Sequence, residues 1–306
     1  MSDTVTERST VSEAVSERAA TGRTGRTTGG RIASHAVMAL MAAYFLLPFW
    51  WLLVASTKDN DGLFGSAPLW FSGDFKLFDN LSTLFSHDGG VYLRWLRNSA
   101  LYSVVSGVGA TALAALAGYA FAKLRFPGRN LLFAALLGLI MVPATALVLP
   151  TYLLMSEAGL TDTVWAVILP SLLNPFGVYL LRVYAHDSVP DEMLEAARID
   201  GAGELRVFRS VALPAMRPAL VTVLLFTMVA TWNNFFLPLV MLSDNDLFPL
   251  TVGLRTWYQS ATLGNAGPAL FNVIVVGALV AIVPLIVAFL LLQRYWRGGL
   301  TIGALK

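Results

Sequence analysis

The chain has 306 residues, of which 56% are apolar and only 13% charged, and its mean hydropathy is +0.66. Soluble domains carry roughly 25% charged residues, so a water-soluble fold is excluded and lipid must surround most of the chain. A net charge of +2 gives no support for nucleic-acid binding. The chain has no cysteine, which excludes disulfides and thiol chemistry, and its three histidines lie far apart, so no metal site is expected.

Residues 1–34 mix Ser, Thr, Gly, Glu and Arg without an apolar period. Such a segment cannot bury enough apolar surface to order itself, so a disordered tail is predicted. The apolar run that follows is too long, and starts too far from the terminus, for a cleaved signal peptide.

Six apolar runs without Asp, Glu, Lys, Arg or His follow, each close to the roughly 20 residues that a helix needs to cross a bilayer. The fold class predicted is therefore all-α, a polytopic membrane protein with six transmembrane helices. The runs are Ala36–Ser56, Asn98–Ala122, Leu131–Ser156, Thr163–Leu181, Pro218–Ser243 and Ala266–Leu292.

The runs also suggest how the chain is divided. After the tail, residues 35–97 hold the first helix and an external loop, residues 98–293 hold a core of five helices, and residues 294–306 form a C-terminal tail. Of the 21 Lys and Arg residues, 16 fall in the two tails and in the loops after the second and fourth runs. The positive-inside rule places these segments, and so both termini, in the cytoplasm.

Two long loops are expected on the opposite side of the membrane, at residues 57–97 and 244–265. Trp70 and Trp95 lie near the ends of runs, where aromatic side chains are usually interfacial anchors, and we expect that role for both. Glycines near the end of the second loop would allow a flexible tip that reaches an external partner.

The loop at residues 182–217 reads as two short helices on the cytoplasmic side. Ser188 is predicted to be the N-cap of the first helix, and Pro190 suits its first turn. Gly201 can adopt the left-handed conformation that ends a helix. A pair of helices this short is not stable alone, so the loop is expected to have a soluble partner.

Apolar positions follow a helical period in both helices of this loop. Met193, Ala196 and Ala197 form one flat stripe that permits close approach by another surface. The second helix, residues 204–213, is expected to end where Pro214 breaks it. It presents Leu205, Phe208 and Val211.

The spacing within the loop is distinctive. The tripeptide Glu-Ala-Ala is followed after three residues by Gly and after a further nine by Val-x-Leu-Pro. The loop thus resembles the EAA loop of ABC importer permeases, although Val211 stands where Ile is commonest. The positions that the resemblance marks as coupling residues are Glu195, Ala196, Ala197, Asp200, Gly201, Leu213 and Pro214.

Other stretches agree, and the resemblance covers about residues 36–306. Phe126-Pro127-Gly128, the segment 232–235 and the C-terminal segment 293–303 are similar to the maltose-type carbohydrate permease of the second-subunit kind. The N-terminal tail is longer than usual for that family.

The resemblance implies a fold, a function and a set of partners. It implies the type I ABC importer permease fold, alternating access for a sugar, and the inner membrane of a bacterium. The implied partners are two cytoplasmic ATPase subunits, a homologous second permease and an extracytoplasmic solute-binding protein, and the C-terminal tail is a second candidate ATPase contact. No lysine of this chain follows glycine, so it has no phosphate-binding loop. ATP and Mg²⁺ are therefore expected in the partner ATPase, with no cofactor in this chain.

Polar and aromatic residues in the middle of two runs are candidates for the translocation path. Asn side chains suit hydroxyl-rich ligands and aromatic rings can stack on a sugar, but interhelical hydrogen bonding explains such residues equally well. The candidates are Asn174, Trp232, Asn233, Asn234 and Phe235.

Other functions stay open on the sequence alone. An importer for another solute, such as a phosphorylated polyol, polyamine or amino acid, would share the EAA-type loop. A secondary transporter or channel usually needs charged groups or unwound ion sites at depth, and a membrane-bound enzyme needs acid–base residues there. The six runs contain no charged residue or histidine.

Overall fold

The computed structural model describes residues 28–263 and 270–297, and the chain divides into two units, Met1–Trp51 and Leu52–Lys306. The described residues are helical with no strand among them, which confirms the all-α prediction. The α-helices are α1 Thr28–Ser56, α2 Asn60–Gly65, α3 Leu77–Ser86, α4 Val91–Lys123, α5 Arg129–Ile140, α6 Val148–Glu157, α7 Val164–Ser171, α8 Pro175–Ser188, α9 Asp191–Ile199, α10 Glu204–Ala215, α11 Arg217–Trp232, α12 Phe236–Met241, α13 Leu250–Leu263 and α14 Phe271–Arg297.

Each predicted run corresponds to helix, although only some are unbroken. Four stretches are long and apolar enough to cross a bilayer. Two bent helix pairs bring the number to six if each pair is one span: α5 with the segment 144–157, and α10 with α11. Helix α1 begins at Thr28, so residues 28–34, predicted to belong to the tail, are helical. The rest of the tail lies outside the described residues.

Three of the spans are interrupted near their middle. The chain bends by 100° between α5 and the segment 144–157, where Pro143 takes an extended conformation. Helices α7 and α8 are separated at residues 172–174, and α11 and α12 at residues 233–235. A helix break frees backbone groups, which must be satisfied inside the protein.

Glycine allows the central helices to approach closely. A Cβ on Gly118 of α4 would lie 2.9 Å from the backbone nitrogen of Arg182 on α8. Such a contact is too short for any other residue, so this position lets the two helix backbones pack together, as small residues do in membrane proteins.

The segment 57–97, which includes the first predicted external loop, is folded rather than open. Helices α2 and α3 occupy much of it, and Asn80 on α3 donates hydrogen bonds to the carbonyls of Ser56 and Lys58 at 2.9 and 2.8 Å. The Asn80 side-chain oxygen in turn accepts from Asn272 on α14 at 2.7 Å. The buried Lys58 ammonium donates to Ser66 Oγ and to the Ala67 carbonyl.

Trp95 is not an interfacial anchor, which corrects the sequence prediction. Its side chain is 1% exposed, its Nε1 donates to the Asn245 carbonyl at 2.9 Å, and its ring lies 4.7 Å from that of Trp257 on α13. Trp70 is 66% exposed. The second predicted external loop, residues 244–265, contains α13, and its predicted glycine tip lies outside the described residues.

Candidate coupling surface and translocation path

The first helix of the loop is α9, and its two ends differ in how well the sequence predicted them. Ser188 is the last residue of α8, so the predicted N-cap is wrong, and Pro190 occupies that position without a side-chain hydrogen bond. Gly201 has φ of +82°, which confirms its left-handed role. Its N–H donates to the Arg198 carbonyl at 3.0 Å, and the next N–H, of Ala202, bonds to the Ala197 carbonyl.

The second helix, α10, runs further than predicted. Pro214 does not break it, because the helical path continues through a π-helical segment at Phe208–Ala212 to Ala215. The break comes at the next residue, Met216, where the chain bends by 81° into α11. Proline is tolerated in the first turn of an α-helix, where its missing N–H would have no partner in the helix. Pro214 lies in the first turn of the α-helical segment Leu213–Ala215, which follows the π-helical segment.

Buried apolar side chains fix the loop to the spans. Leu194 of α9 is 1% exposed, and it belongs to one core cluster with Val207 and Phe208 of α10. The same cluster contains Tyr119 of α4 and Leu181 of α8. Burying each large apolar side chain contributes roughly 1.5–3 kcal/mol, so the loop is held against one end of α4 and of α8.

Ion pairs add to this attachment. Lys123 Nζ lies 2.8 Å from Asp191 Oδ1, and hydrogen bonding and charge from Lys123 lower the pKa of Asp191. Within the loop, Arg198 Nε donates to Glu204 Oε1 at 2.7 Å and its Nη2 donates to Oε2 at 3.3 Å. This hydrogen bonding raises the pKa of Arg198 and joins α9 to α10.

The outer side of the loop presents apolar side chains to solvent, and we name Met193, Ala196, Ile199 and Leu205 the coupling surface. Met193, Ile199 and Leu205 are 52%, 85% and 67% exposed, and Ala196 is also exposed. Ala197, predicted for the same stripe, is half-buried. Ile199 was not among the predicted coupling residues, although an isoleucine between the charged residues Arg198 and Asp200 indicates an exposed apolar side chain.

The other predicted coupling residues surround this surface. Glu195, Asp200 and Gly201 are exposed, whereas Leu213 and Pro214 are half-buried near the bend that leads into α11. Exposed apolar side chains on a polar loop are characteristic of a protein-binding surface. The C-terminal tail, the second candidate contact, lies outside the described residues from residue 298 onward.

The path candidates lie at the breaks in two spans. Asn174 accepts a hydrogen bond from Gly177 N at 2.8 Å, which caps α8, and donates to Thr227 Oγ1 on α11 at 2.9 Å. In span five, Asn234 Oδ1 accepts from Leu237 N at 3.4 Å, and the Asn234 carbonyl accepts from Thr251. Asn174 and Asn234 thus satisfy groups that the breaks would leave unpaired.

The remaining path candidates differ in exposure. Trp232 is 7% exposed and packs in the cluster that contains Trp95 and Trp257, so its ring faces no open space. Phe235 is half-buried. Asn233 is exposed, and its side chain donates to the Val229 carbonyl at 2.9 Å. Asn233 is therefore the most exposed of the path candidates.

The fold defines a polytopic membrane protein whose polar loop exposes several apolar side chains. Residues 110–297 match the family of the binding-protein-dependent transport system inner membrane component. The chain belongs to this family, whose members are transport subunits of the inner membrane.

Relatives and a solved structure agree with the family. The arabinooligosaccharides transport system permease protein AraQ of Halalkalibacterium halodurans is 35% identical, over 88% of this chain and 94% of that protein. The sn-glycerol-3-phosphate transport system permease protein UgpE of Pectobacterium atrosepticum is 29% identical, over 88% and 95%. A structure of a bacterial ABC transporter involved in the import of the acidic polysaccharide alginate has the same fold, with a TM-score of 0.76 at 23% identity over 90% of this chain and 98% of that one.

Proposed function

We propose that the chain is a transmembrane permease subunit of an ATP-driven, binding-protein-dependent importer that moves a di- or oligosaccharide by alternating access. The observation that carries this proposal is the coupling surface, which exposes apolar side chains on a loop that is fixed to the spans through Leu194 and Lys123. Membership of the transport family and similarity to an arabino-oligosaccharide permease support it.

The proposed partners follow from that architecture. Two cytoplasmic ATPase subunits bind ATP and Mg²⁺, and one of them receives the coupling surface in a complementary groove. A homologous second permease completes the membrane part, and an extracytoplasmic binding protein delivers the solute. The loop and both termini lie in the cytoplasm, as the placement of Lys and Arg predicts.

The geometry suggests how movement passes into the membrane. A force on α9 acts on α4 through the Lys123–Asp191 pair and on α10 through Arg198–Glu204. Helix α10 leads into α11 through the 81° bend, so displacement of the loop reorients this span. Breaks between α7 and α8 and between α11 and α12 provide places where the spans can flex.

A neutral carbohydrate fits the spans better than a phosphorylated polyol. The apolar runs carry no Lys or Arg that could pair with a phosphate, whereas Asn233 offers an exposed amide near the break in span five. The glycerol-phosphate permease among the relatives keeps the phosphorylated polyol as the second candidate.

Transport by the reconstituted complex tests both the mechanism and the substrate class. The chain would be placed in vesicles with its second permease, ATPase and binding protein, and uptake of labelled arabino-oligosaccharides would be compared with that of glycerol 3-phosphate. We expect sugar uptake with ATP and none with a non-hydrolysable analogue. Uptake that continues without the ATPase would instead establish a secondary transporter, and uptake of the phosphate alone would establish the second candidate.

A further inference from the structure

An open cavity of about 330 Å³ lies in the connection between α4 and α5, at the end of α4 that contacts the coupling loop. It combines basic, amide and apolar side chains within one short segment. The lining residues are Arg125, Phe126, Gly128, Arg129, Asn130 and Leu131.

The positive charge of this cavity is not neutralised by the chain. Among the residues that the structure describes, the Arg125 side chain makes no hydrogen bond or ion pair, and the Arg129 guanidinium donates one hydrogen bond, to the Leu124 carbonyl at 3.2 Å. No Asp or Glu occurs between Lys123 and Glu157. Lys123 itself, only two residues from Arg125, is paired with a carboxylate. The chain therefore pairs Lys123 with a carboxylate but leaves the side chains of Arg125 and Arg129 available to an external anion.

The cavity lies where a polar connection meets an exposed apolar helix. Leu131, which lines the cavity, is 76% exposed, and Leu132 beside it is 54% exposed. Further along the same span Met141 is 85% exposed. In a membrane protein such side chains contact acyl chains, so the arginines lie at the depth of the phospholipid headgroups.

We propose that this cavity binds the headgroup of an anionic phospholipid of the cytoplasmic leaflet, with the Arg125 and Arg129 guanidinium groups on its phosphate and Leu131 and Leu132 along its acyl chains. A guanidinium group can donate two parallel hydrogen bonds to two oxygens of one phosphate. Basic pockets at the cytoplasmic membrane surface are suited to such headgroups. A soluble phosphate would use the arginines but leave the apolar wall without a partner. The inference depends on membrane insertion and not on the solute that is transported.

Photolabelling of the full-length chain in its transporter complex tests the proposal. The complex would be reconstituted in phosphatidylcholine vesicles that contain a photoactivatable phosphatidylglycerol, and labelled peptides would be mapped. We expect label on residues 125–132, reduced roughly fivefold by Arg125→Gln or Arg129→Gln and further by the double substitution. Arg97→Gln, which changes an exposed arginine near the other end of α4, is the matched control and should leave the label unchanged.

Three results would overturn the proposal. Equal labelling of the segment by a photoactivatable phosphatidylcholine would show that charge has no role. Undiminished labelling of the double variant would exclude the arginines, and loss of label in inorganic phosphate but not in sodium chloride of equal ionic strength would assign the cavity to a soluble anion. Should the double variant fail to fold, labelling of the unaltered chain at high salt tests the proposal instead. Its preference for phosphatidylglycerol over phosphatidylcholine must then disappear, and a preference that persists would overturn the proposal.

Discussion

Lys123, the last residue of α4, and Asp191, the first residue of α9, form an ion pair in which Nζ lies 2.8 Å from Oδ1. The Lys123 side chain is only 6% exposed, whereas that of Asp191 is 73% exposed. The ammonium also lies 3.4 Å from the His186 carbonyl at the end of α8. One lysine thus joins two spans to the loop that carries the coupling surface.

Loss of this pair should uncouple the loop from α4. We expect Lys123→Met to insert normally but to lower the amount of sugar moved per ATP hydrolysed, because displacement of α9 no longer acts on α4. Uptake and phosphate release from the same vesicles give that ratio. The reciprocal exchange Lys123→Asp with Asp191→Lys should restore part of it, and an unchanged ratio in the single variant would show that the pair transmits nothing.

The same pair should be insensitive to pH across the physiological range. Hydrogen bonding and charge from Lys123 lower the pKa of Asp191, so the stabilisation is present above the ordinary carboxyl pKa and is lost only as pH falls through the lowered pKa. We therefore expect the difference in coupling ratio between the unaltered chain and Asp191→Asn to stay constant from about pH 5 to 8. A difference that disappears near pH 5.5 would contradict the assignment.

Gly201 should be replaceable only by residues that accept positive φ. With φ of +82°, alanine is expected to cost about 1 kcal/mol, whereas asparagine is tolerated better. Gly201→Pro also removes the N–H that bonds to the Arg198 carbonyl, so transport should be abolished while the chain still inserts. Limited proteolysis of the loop and uptake assays measure the series, and undiminished transport by the proline variant would refute the proposal that the loop passes movement to the spans.

Removing an apolar side chain from the coupling surface should weaken ATPase binding without destabilising the chain. Ile199 is 85% exposed, so Ile199→Ser loses little in the free permease but about tenfold or more in affinity for the partner. Copurification of the ATPase and titration of the purified subunits measure the effect. Ser210→Ala, an exposed position in the same loop, is the control and should bind normally.

The two tryptophans of the first external segment should differ sharply. Trp95→Ala removes a buried ring and its hydrogen bond, which is expected to cost about 3–5 kcal/mol and to lower the Tm of the detergent-solubilised chain. Trp70→Ala, at a position 66% exposed, should change the Tm little. Equal effects of the two substitutions would place Trp95 outside the core.

The asparagines of the broken spans should separate stability from transport. Asn174→Ala removes the cap of α8 and the bond to Thr227, so the Tm should fall by an amount that corresponds to about 1–3 kcal/mol. Asn233→Ala, at an exposed position, should leave the Tm nearly unchanged and reduce sugar uptake instead. Normal uptake by a stable Asn233→Ala chain would remove this residue from the path.

Much of the coupling loop could be predicted because its signals are local. The left-handed glycine at Gly201 and the apolar spacing of Met193 and Ala196 depend on neighbours within a few residues, so the sequence located them correctly. Ser188 failed as a cap because α8 continues to that residue, and tertiary contacts of α8 with α4 stabilise the extra turn. The burial of Trp95 depended on α13, more than 150 residues away, which no local pattern reveals.

Three properties could be predicted from the order of residues alone: the chain spans a membrane, its fold is all-α, and a polar loop lies at residues 182–217. Those properties follow from the local density of apolar side chains and from charge placement, since lipid accepts only long uncharged helices. Only the folded chain shows that three spans are broken, that Trp95 is buried and that Lys123 pairs with Asp191. These depend on which distant segments meet, because burial and ion pairing are properties of contacts and not of neighbours along the chain.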